Sequence, residues 1–284
     1  MANPLTRSLL AMALGTASLS LPLVAQAPPG MVIGPEFLDQ TLRHGDNTLR
    51  FCINPASVLA PLDRAVAQAI ADALLLTAEF YEVDAPFAIK PFDFRVQIGG
   101  REFFVAFHNN CEAFMGLRLA PGQIPDWLSI SQPYFSARTV MATARAGIDG
   151  FEDIPPGVPI GSRLGASGDV NLTSYLQSLP EDARPRRFPY PDYGILIDRM
   201  LDGTLAAILI WEPALSFASG GDPAAIGITA VFDPPHAVPV LDFGVAVMAQ
   251  DTFTRGLIDQ AITALTEDGT LDALAREHAM LPGG

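Results

Sequence analysis

The chain has 284 residues, 49% hydrophobic and 17% charged, which supports a sizeable packed core and excludes a disordered, collagen-like or coiled-coil protein. Asp and Glu number 31 against 17 Lys and Arg, so the formal net charge is −14, and the basic footprint of a nucleic-acid binder is missing. Lys90 is the single lysine, which rules out a Gly-Lys-Ser/Thr phosphate loop. In chain order, Met1–Arg7 carries the terminal amine and one Arg, and Leu9–Val24 is apolar. Ala25-Gln26-Ala27 then offers a small-residue cleavage site. This order predicts a secretory signal peptide over 1–27, cut after Ala25 or Ala27. A membrane anchor fits less well, because Ser18, Ser20 and Pro22 break an apolar run already short of ~20 residues. No later stretch reads as a span, so a soluble, exported mature chain is expected.

Strand and helix signals alternate from residue 48. Leu49–Ile53 reads as a short strand stopped by Asn54-Pro55. A long helix follows, with Leu62, Val66, Ile70, Leu74 and Tyr81 on its apolar face and Asp63, Arg64, Gln68 and Glu79 on the other. Phe92–Ile98 alternates as a strand, Glu102–Asn109 reads as a short helix with Phe103, Phe104 and Phe107 as core, and Ala113–Leu117 reads as a buried strand. A second α/β unit repeats the pattern. Val158–Gly161 is a strand and Gly165–Asp169 a turn opening a helix, where Ser167 or Asp169 either caps or helps to hold an anion. Pro180–Arg187 reads as a loop with Arg186-Arg187 solvated, Tyr193–Leu201 as a helix and Leu205–Ile210 as a strand. Trp211-Glu212 follows at that strand's carboxyl end, where open α/β sheets bind ligands. Thr139–Arg145 and Val238–Met248 flank this unit as extended segments, and two helices, opened by Asp251 and Thr270, close the chain. One lobe left and re-entered once implies two crossings and a hinge.

Chemistry-bearing motifs are sparse. His44, His108, His236 and His278 are scattered, and two cysteines support no thiolate metal cluster, so a zinc enzyme is not indicated. GxSxG and GxGxxG are absent; the nearest run, Gly165-Ala166-Ser167-Gly168-Asp169, ends in Asp. Neither a cofactor nor a catalytic acid/base pair is indicated, and the chain reads as a non-enzyme. In an oxidising compartment Cys52 and Cys111 are candidates for a disulfide. Cys52 lies late in its strand and Cys111 just ahead of its own, so parallel register leaves both outcomes open.

The stretches LRFCI, CEAFMGL, SISQPYFSARTVMATAR, IGSRLGASGD, LDGTLAAILIWEPA, FGVAVMAQDT and LTEDGTLDALAREH, in that order over roughly 48–280, resemble the periplasmic solute-binding proteins of family 3, the polar-amino-acid receptors of ABC importers. The resemblance implies an α/β, two-lobed periplasmic-binding-protein (type II) clamshell with two hinge crossings. Lobe 1 would comprise 28–141 and 243–284, and lobe 2 would comprise 142–242. It also implies a periplasmic location, a small-molecule ligand and an ABC permease as partner.

In that family an Arg six residues before the aromatic of the Phe-Ser-x-Pro-Tyr motif clamps a carboxylate; here that position is Ile124. The carboxylate that holds an α-amino group is replaced by Trp211, with Glu212 beside it, and the mouth segment is cut to Pro55–Pro61. The ligand implied is therefore a weakly charged solute rather than an ordinary amino acid. Cys52, the Cys111-Glu112 to Met115-Gly116 run and Trp211-Glu212-Pro213 also resemble the subgroup associated with quinoprotein (PQQ) alcohol or methanol dehydrogenases. That likeness implies an accessory whose partner is the dehydrogenase or its cytochrome, with Trp211 exposed as an anchor. The residues expected to bind ligand or partner are Trp211, Glu212, Tyr134, Ser131, Ser167, Arg118 and Arg163.

Overall fold

The computed structural model describes residues 47–83, 101–118, 124–278 and 280. The amino-terminal segment, including the expected signal over 1–27, and the expected strand Phe92–Ile98 lie outside them. Two mixed sheets organise the chain. The first has the order β2 (Thr77–Glu82), β1 (Thr48–Ile53), β3 (Ala113–Arg118), β11 (Leu241–Met248) and β4 (Leu128–Ile130), with β5 (Phe135–Ala137) also paired to β11. The second has the order β10 (Ala230–Phe232), β6 (Thr139–Thr143), β9 (Ala207–Trp211), β7 (Pro159–Arg163) and β8 (Arg186–Tyr190). The strands β1, β2 and β3 are parallel, as are β7, β8 and β9, while β11 and β6 run antiparallel to their neighbours.

Helices cover both faces of each sheet, as parallel strands require. In the first lobe α1 (Ala60–Ala73) buries Leu62, Val66 and Ile70, one residue per turn, with Pro61 set in the first turn where its missing N–H costs nothing. It packs against the two carboxyl-terminal helices, separated from each other by Asp268 and Gly269. The opposite face holds α2 (Arg101–Asn110), whose Phe104 and Phe107 join Cys52, Phe114 and Trp127 in a separate apolar cluster. In the second lobe α3 (Ser167–Ser178) covers one face with Leu172 and Leu176, and α4 (Tyr193–Leu201) covers the other with Leu196 and Met200. A further helix, α5 (Glu212–Ser219), follows β9 directly; α6 (Thr252–Glu267) and α7 (Thr270–Glu277) end the chain. Among the described residues no helix is long and apolar enough to cross a membrane.

Four elements differ from the expectation. The helix expected to reach Tyr81 stops at Ala73: Leu75 takes a left-handed φ of 57°, and the Leu76 N–H returns to the Ala71 carbonyl. Thr77–Glu82 then becomes β2, in register with all six residues of β1. The expected loop ending at Arg187 instead enters β8, which pairs residue for residue with β7. Thr270 does not cap α7; the cap is Gly269 at φ 79°, and the Asp268 carboxylate accepts the Thr270 N–H. Finally, β6 lies wholly in the second sheet, so the first crossing falls at Arg138 rather than after Met141, and the second spans 233–240.

Candidate functional site

The carboxyl ends of the parallel strands place Asn54 after β1 and Arg118 at the end of β3 in one lobe. In the other they place Arg163 at the end of β7 and Trp211 at the end of β9. The shortened mouth between β1 and α1 is a self-bonded turn. Asn54 Oδ1 accepts the Ala56 N–H at 3.1 Å, and Ser57 Oγ accepts the Leu59 N–H at 3.1 Å. Val58 and Leu59 are buried, so this segment contributes core rather than an aromatic lip.

Trp211 is not an exposed anchor. It is 2% exposed, and its ring lies 5.6 Å from Phe243 on β11, which in turn stands 6.4 Å from Phe135 on β5. The reason is register: Trp211 pairs with Thr139, the first residue beyond the crossing, so its indole fills the seam where the two sheets meet. Glu212, also expected to meet a ligand or partner, is buried as well. It is 1% exposed at the start of α5, and Arg138 reaches both of its oxygens at 3.2–3.3 Å. The hydrogen bond that Arg138 donates to Glu212 is the main cause that raises the Arg138 pKa, against a smaller opposing effect of burial. Arg138 also meets the exposed Asp233 at 3.2 Å, so one guanidinium at the first crossing holds the end of β9 and the start of the second crossing.

Ser131 and Tyr134 serve the interior of the first lobe. Ser131 Oγ accepts the Val245 N–H at 2.9 Å and donates to the Gln132 carbonyl at 2.7 Å, which stitches the chain after β4 onto β11. Tyr134 donates its hydroxyl to the Asp63 carboxylate. Asp63, placed by its helical spacing on the solvent face, is 1% exposed; its Oδ2 has no partner, and burial raises its pKa to about 7, with the Tyr134 hydrogen bond opposing. The cause is a bulge in β3. One residue of β11, Val245, faces two of β3, Met115 and Gly116, there; Gly116 adopts φ +77°, and a Cβ at Gly116 would meet Asp63 Oδ2 at 2.6 Å.

At the start of α3, Ser167 is exposed and makes no cap; the Ncap is Ala166. Asp169 is buried and accepts from Ser162, from the Gly165 N–H at 3.1 Å and from Arg187 at 2.7 and 3.0 Å. Burial alone would raise its pKa, but these hydrogen bonds outweigh that and hold it below the ordinary carboxylate range. Arg187 is therefore an ion-pair partner on β8, not a solvated loop residue, and Arg186 lies over the Phe188 ring. Arg163 lies over the Tyr193 ring at 5.6 Å, whereas among the described residues Arg118 has no ion pair. Cys52 and Cys111 have Cα atoms 5.7 Å apart and form a disulfide. The turn at the end of α2 brings Cys111 back beside β1, ahead of the register that pairs Cys52 with Phe114. Among the described residues no group of three His, Cys, Asp or Glu is placed to hold a metal ion.

Of the seven expected binding residues, the structure leaves Arg118, Arg163 and Ser167 outside the core and buries Trp211, Glu212, Ser131 and Tyr134. Asp63, Arg138 and Asp233 were missed. Arg138 had a legible signal, because it directly precedes the first extended crossing segment. The arrangement is the type II periplasmic-binding-protein clamshell: two α/β lobes, each with a mixed sheet, joined by two crossings.

No family model matches the sequence, and no curated protein does. Solved structures share the fold. An ancestral cationic amino acid solute-binding protein is 18% identical, with 81% of this chain and 95% of that chain covered at a TM-score of 0.59. Substrate-binding domain 2 of Lactococcus lactis GlnP, in an open conformation, is 13% identical over 83% and 96% of the two chains, at a TM-score of 0.61. A substrate-binding protein of an ABC uptake transporter from Streptococcus pneumoniae, solved with bound histidine, is 16% identical over 81% and 92%, at 0.52.

Proposed function

We propose that this chain is a periplasmic solute receptor that closes on a small, weakly charged solute and delivers it to an ABC permease. The observation that carries the reading is the pair of sheets switched at Arg138 and again over 233–240, the architecture of a hinged binding protein. The names of the similar structures, all solute- or substrate-binding proteins or domains, support the class. The ligand's low charge follows from the side chains. Glu212 is already committed to Arg138, Trp211 is in the core, and Ile124 stands where the resemblance implies a clamping Arg. An α-amino acid zwitterion would lose both counter-charges on entry, and a buried charge without a partner is costly. Arg118 is left to meet one acceptor group of the solute. The accessory role beside a quinoprotein dehydrogenase or its cytochrome drew on an exposed Trp211; with the indole buried, that contact surface loses its central residue.

The test is thermal unfolding of the mature protein across a panel of neutral and monoanionic small solutes and ordinary L-amino acids. Saturating ligand, at about 100 times its dissociation constant, adds about 2.7 kcal/mol. Stabilisation by a neutral or monoanionic solute, reduced by Arg118→Ala, is the expected result. Stabilisation confined to ordinary zwitterionic amino acids overturns the ligand class. Recovery of a dehydrogenase or cytochrome from periplasmic extract, with no solute bound in calorimetry, overturns the receptor reading itself.

A further inference from the structure

A cavity on the second lobe lies outside the region where the strand ends meet. It is a groove of about 660 Å³ on the second lobe, lined by the 149–156 segment, the end of α3, residues 183–185 and residues 232–235. Its lining combines two features. One is aromatic: Phe151 meets Tyr175 edge-on at 5.5 Å, and His236 stacks behind Tyr175 at 5.6 Å, so the Tyr175 ring is held on two sides. The other is acidic: Asp149, Glu152 and Asp233 line the same groove, all three exposed, and among the described residues neither Asp149 nor Glu152 has an ion pair.

The positive charges nearby are already engaged. Arg184, between the lining residues Ala183 and Pro185, gives its guanidinium to the Leu179 and Gln177 carbonyls at 2.7 and 3.0 Å. Arg138 reaches Asp233 from the hinge side. Neither His236 ring nitrogen has a hydrogen bond, and burial lowers its pKa, so the ring behind Tyr175 stays neutral at pH 7. A ring face bordered by uncompensated carboxylates attracts a cation both through the ring quadrupole and by charge.

We propose that this groove docks an arginine-bearing extended segment of a partner protein. The guanidinium would lie against Tyr175 and Phe151, between the carboxylates of Asp149 and Glu152. A planar cation with a stackable face and several donors suits this setting better than an ammonium. A tethered side chain is preferred to a free small cation because the carboxylate rim is open to solvent. A small molecule is bound by burying most of its surface, whereas a flanking chain gains further contact along the prolines of the lining. Asp233, Pro234 and Pro235 also wall a second cavity of about 450 Å³, which includes Arg138 and His236. An occupant of the groove therefore rests on the start of the second crossing, and docking is coupled to the hinge. This inference does not depend on the identity of the solute.

The probe is a fluorescein-labelled Gly-Ser-Arg-Pro-Arg-Ser-Gly peptide, titrated against the mature protein at low and at physiological salt, with Lys-for-Arg and Glu-for-Arg peptides as references. Saturable binding in the order Arg over Lys, with none for Glu, is expected. Asp149→Asn/Glu152→Gln should weaken it about ten-fold, and Tyr175→Ala likewise. The control, Glu267→Gln/Glu277→Gln, makes the same charge change on exposed positions of α6 and α7 and should alter binding less than two-fold. Hydrogen exchange with the Asp149→Asn/Glu152→Gln protein, whose changes are confined to exposed side chains, separates lost docking from lost folding. Equal losses in both double variants, or no saturable binding, overturn the site. Equal affinity for free N-acetylarginine amide overturns the partner-segment assignment.

Discussion

A single carboxyl shows how a residue can escape its helical pattern. Asp63 lies on α1 among positions that repeat as polar, yet the bulge at Gly116 leaves a gap that its carboxylate fills, with Tyr134 as donor. Its pKa is about 7 in the fold against about 3.9 for an unfolded Asp, so folding favours the protonated form. The contribution is fully present below pH 4, declines as pH rises toward 7, and is absent above it. The amplitude is on the order of 4 kcal/mol, set by three pKa units. Asp169 acts with the opposite sign: its pKa is lowered, so its stabilisation is present above pH 4 and lost as pH falls through its folded value. Urea unfolding at pH 5, 6, 7 and 8 should therefore show stability falling across that window. Asp63→Asn, which keeps an acceptor for Tyr134, should flatten the slope and raise the midpoint at pH 8. An unchanged slope would place the titration elsewhere. Trp211 gives a second residue-scale expectation. Because the indole is buried against Phe243, Trp211→Ala should cost about 3–5 kcal/mol, whereas an exposed partner-binding Trp would cost almost nothing.

At the scale of elements, legibility followed the depth of each segment in its sheet. The strands β3 and β9 were readable because central strands are near-continuous apolar runs, and α4 and α6 because one face is apolar at helical spacing. The edge strands β2 and β8 were not. Thr77–Glu82 has no residue buried, and Arg186–Tyr190 carries two arginines and a proline, so neither shows a core-facing pattern. Reading β8 as loop also hid Arg187 from Asp169, an ion pair that couples the edge strand to the start of α3. The disulfide was undecided for a similar reason: register between β1 and β3 places Cys52 opposite Phe114, and only the turn at the end of α2 returns Cys111 to it. At a sequence separation of 59, the cross-link restricts the unfolded chain by about 4 kcal/mol in the chain-entropy picture. Thiol titration of unfolded, unreduced protein should find no free thiol. Reduction should lower the urea midpoint without abolishing the fold, because Phe104, Phe107, Phe114 and Trp127 still pack around the sulfurs. Two titratable thiols in the unreduced protein would refute the pairing.

For the whole molecule, the decisive feature is that one arginine serves both crossings and its two carboxylates are unequal. Arg138 leaves the first sheet and enters the second; Glu212 anchors it at the end of β9, and Asp233 touches it where the chain turns back. The Glu212 side chain is 2% exposed and that of Asp233 80%. Removing a partner from a buried pair strands a charge in a low-dielectric setting and costs about 3–5 kcal/mol, while an exposed pair is worth about 0–1 kcal/mol. Arg138→Met should therefore destabilise strongly, because it orphans Glu212. Asp233→Asn should leave the urea midpoint nearly unchanged. Arg138→Met/Glu212→Met should recover much of the loss, since both charges leave together. In the receptor reading the same hierarchy predicts that folding and motion separate: Glu212 fixes where the lobes are joined, and Asp233, at the solvent-exposed start of the second crossing, is expected to tune how they swing. Single-pair fluorescence distances between labels on α7 and α3, measured with and without solute, should report a broader open population in Asp233→Asn at unchanged stability. Equal midpoint losses for Asp233→Asn and Arg138→Met would mean that the exposed arm of the network carries the fold as much as the buried one.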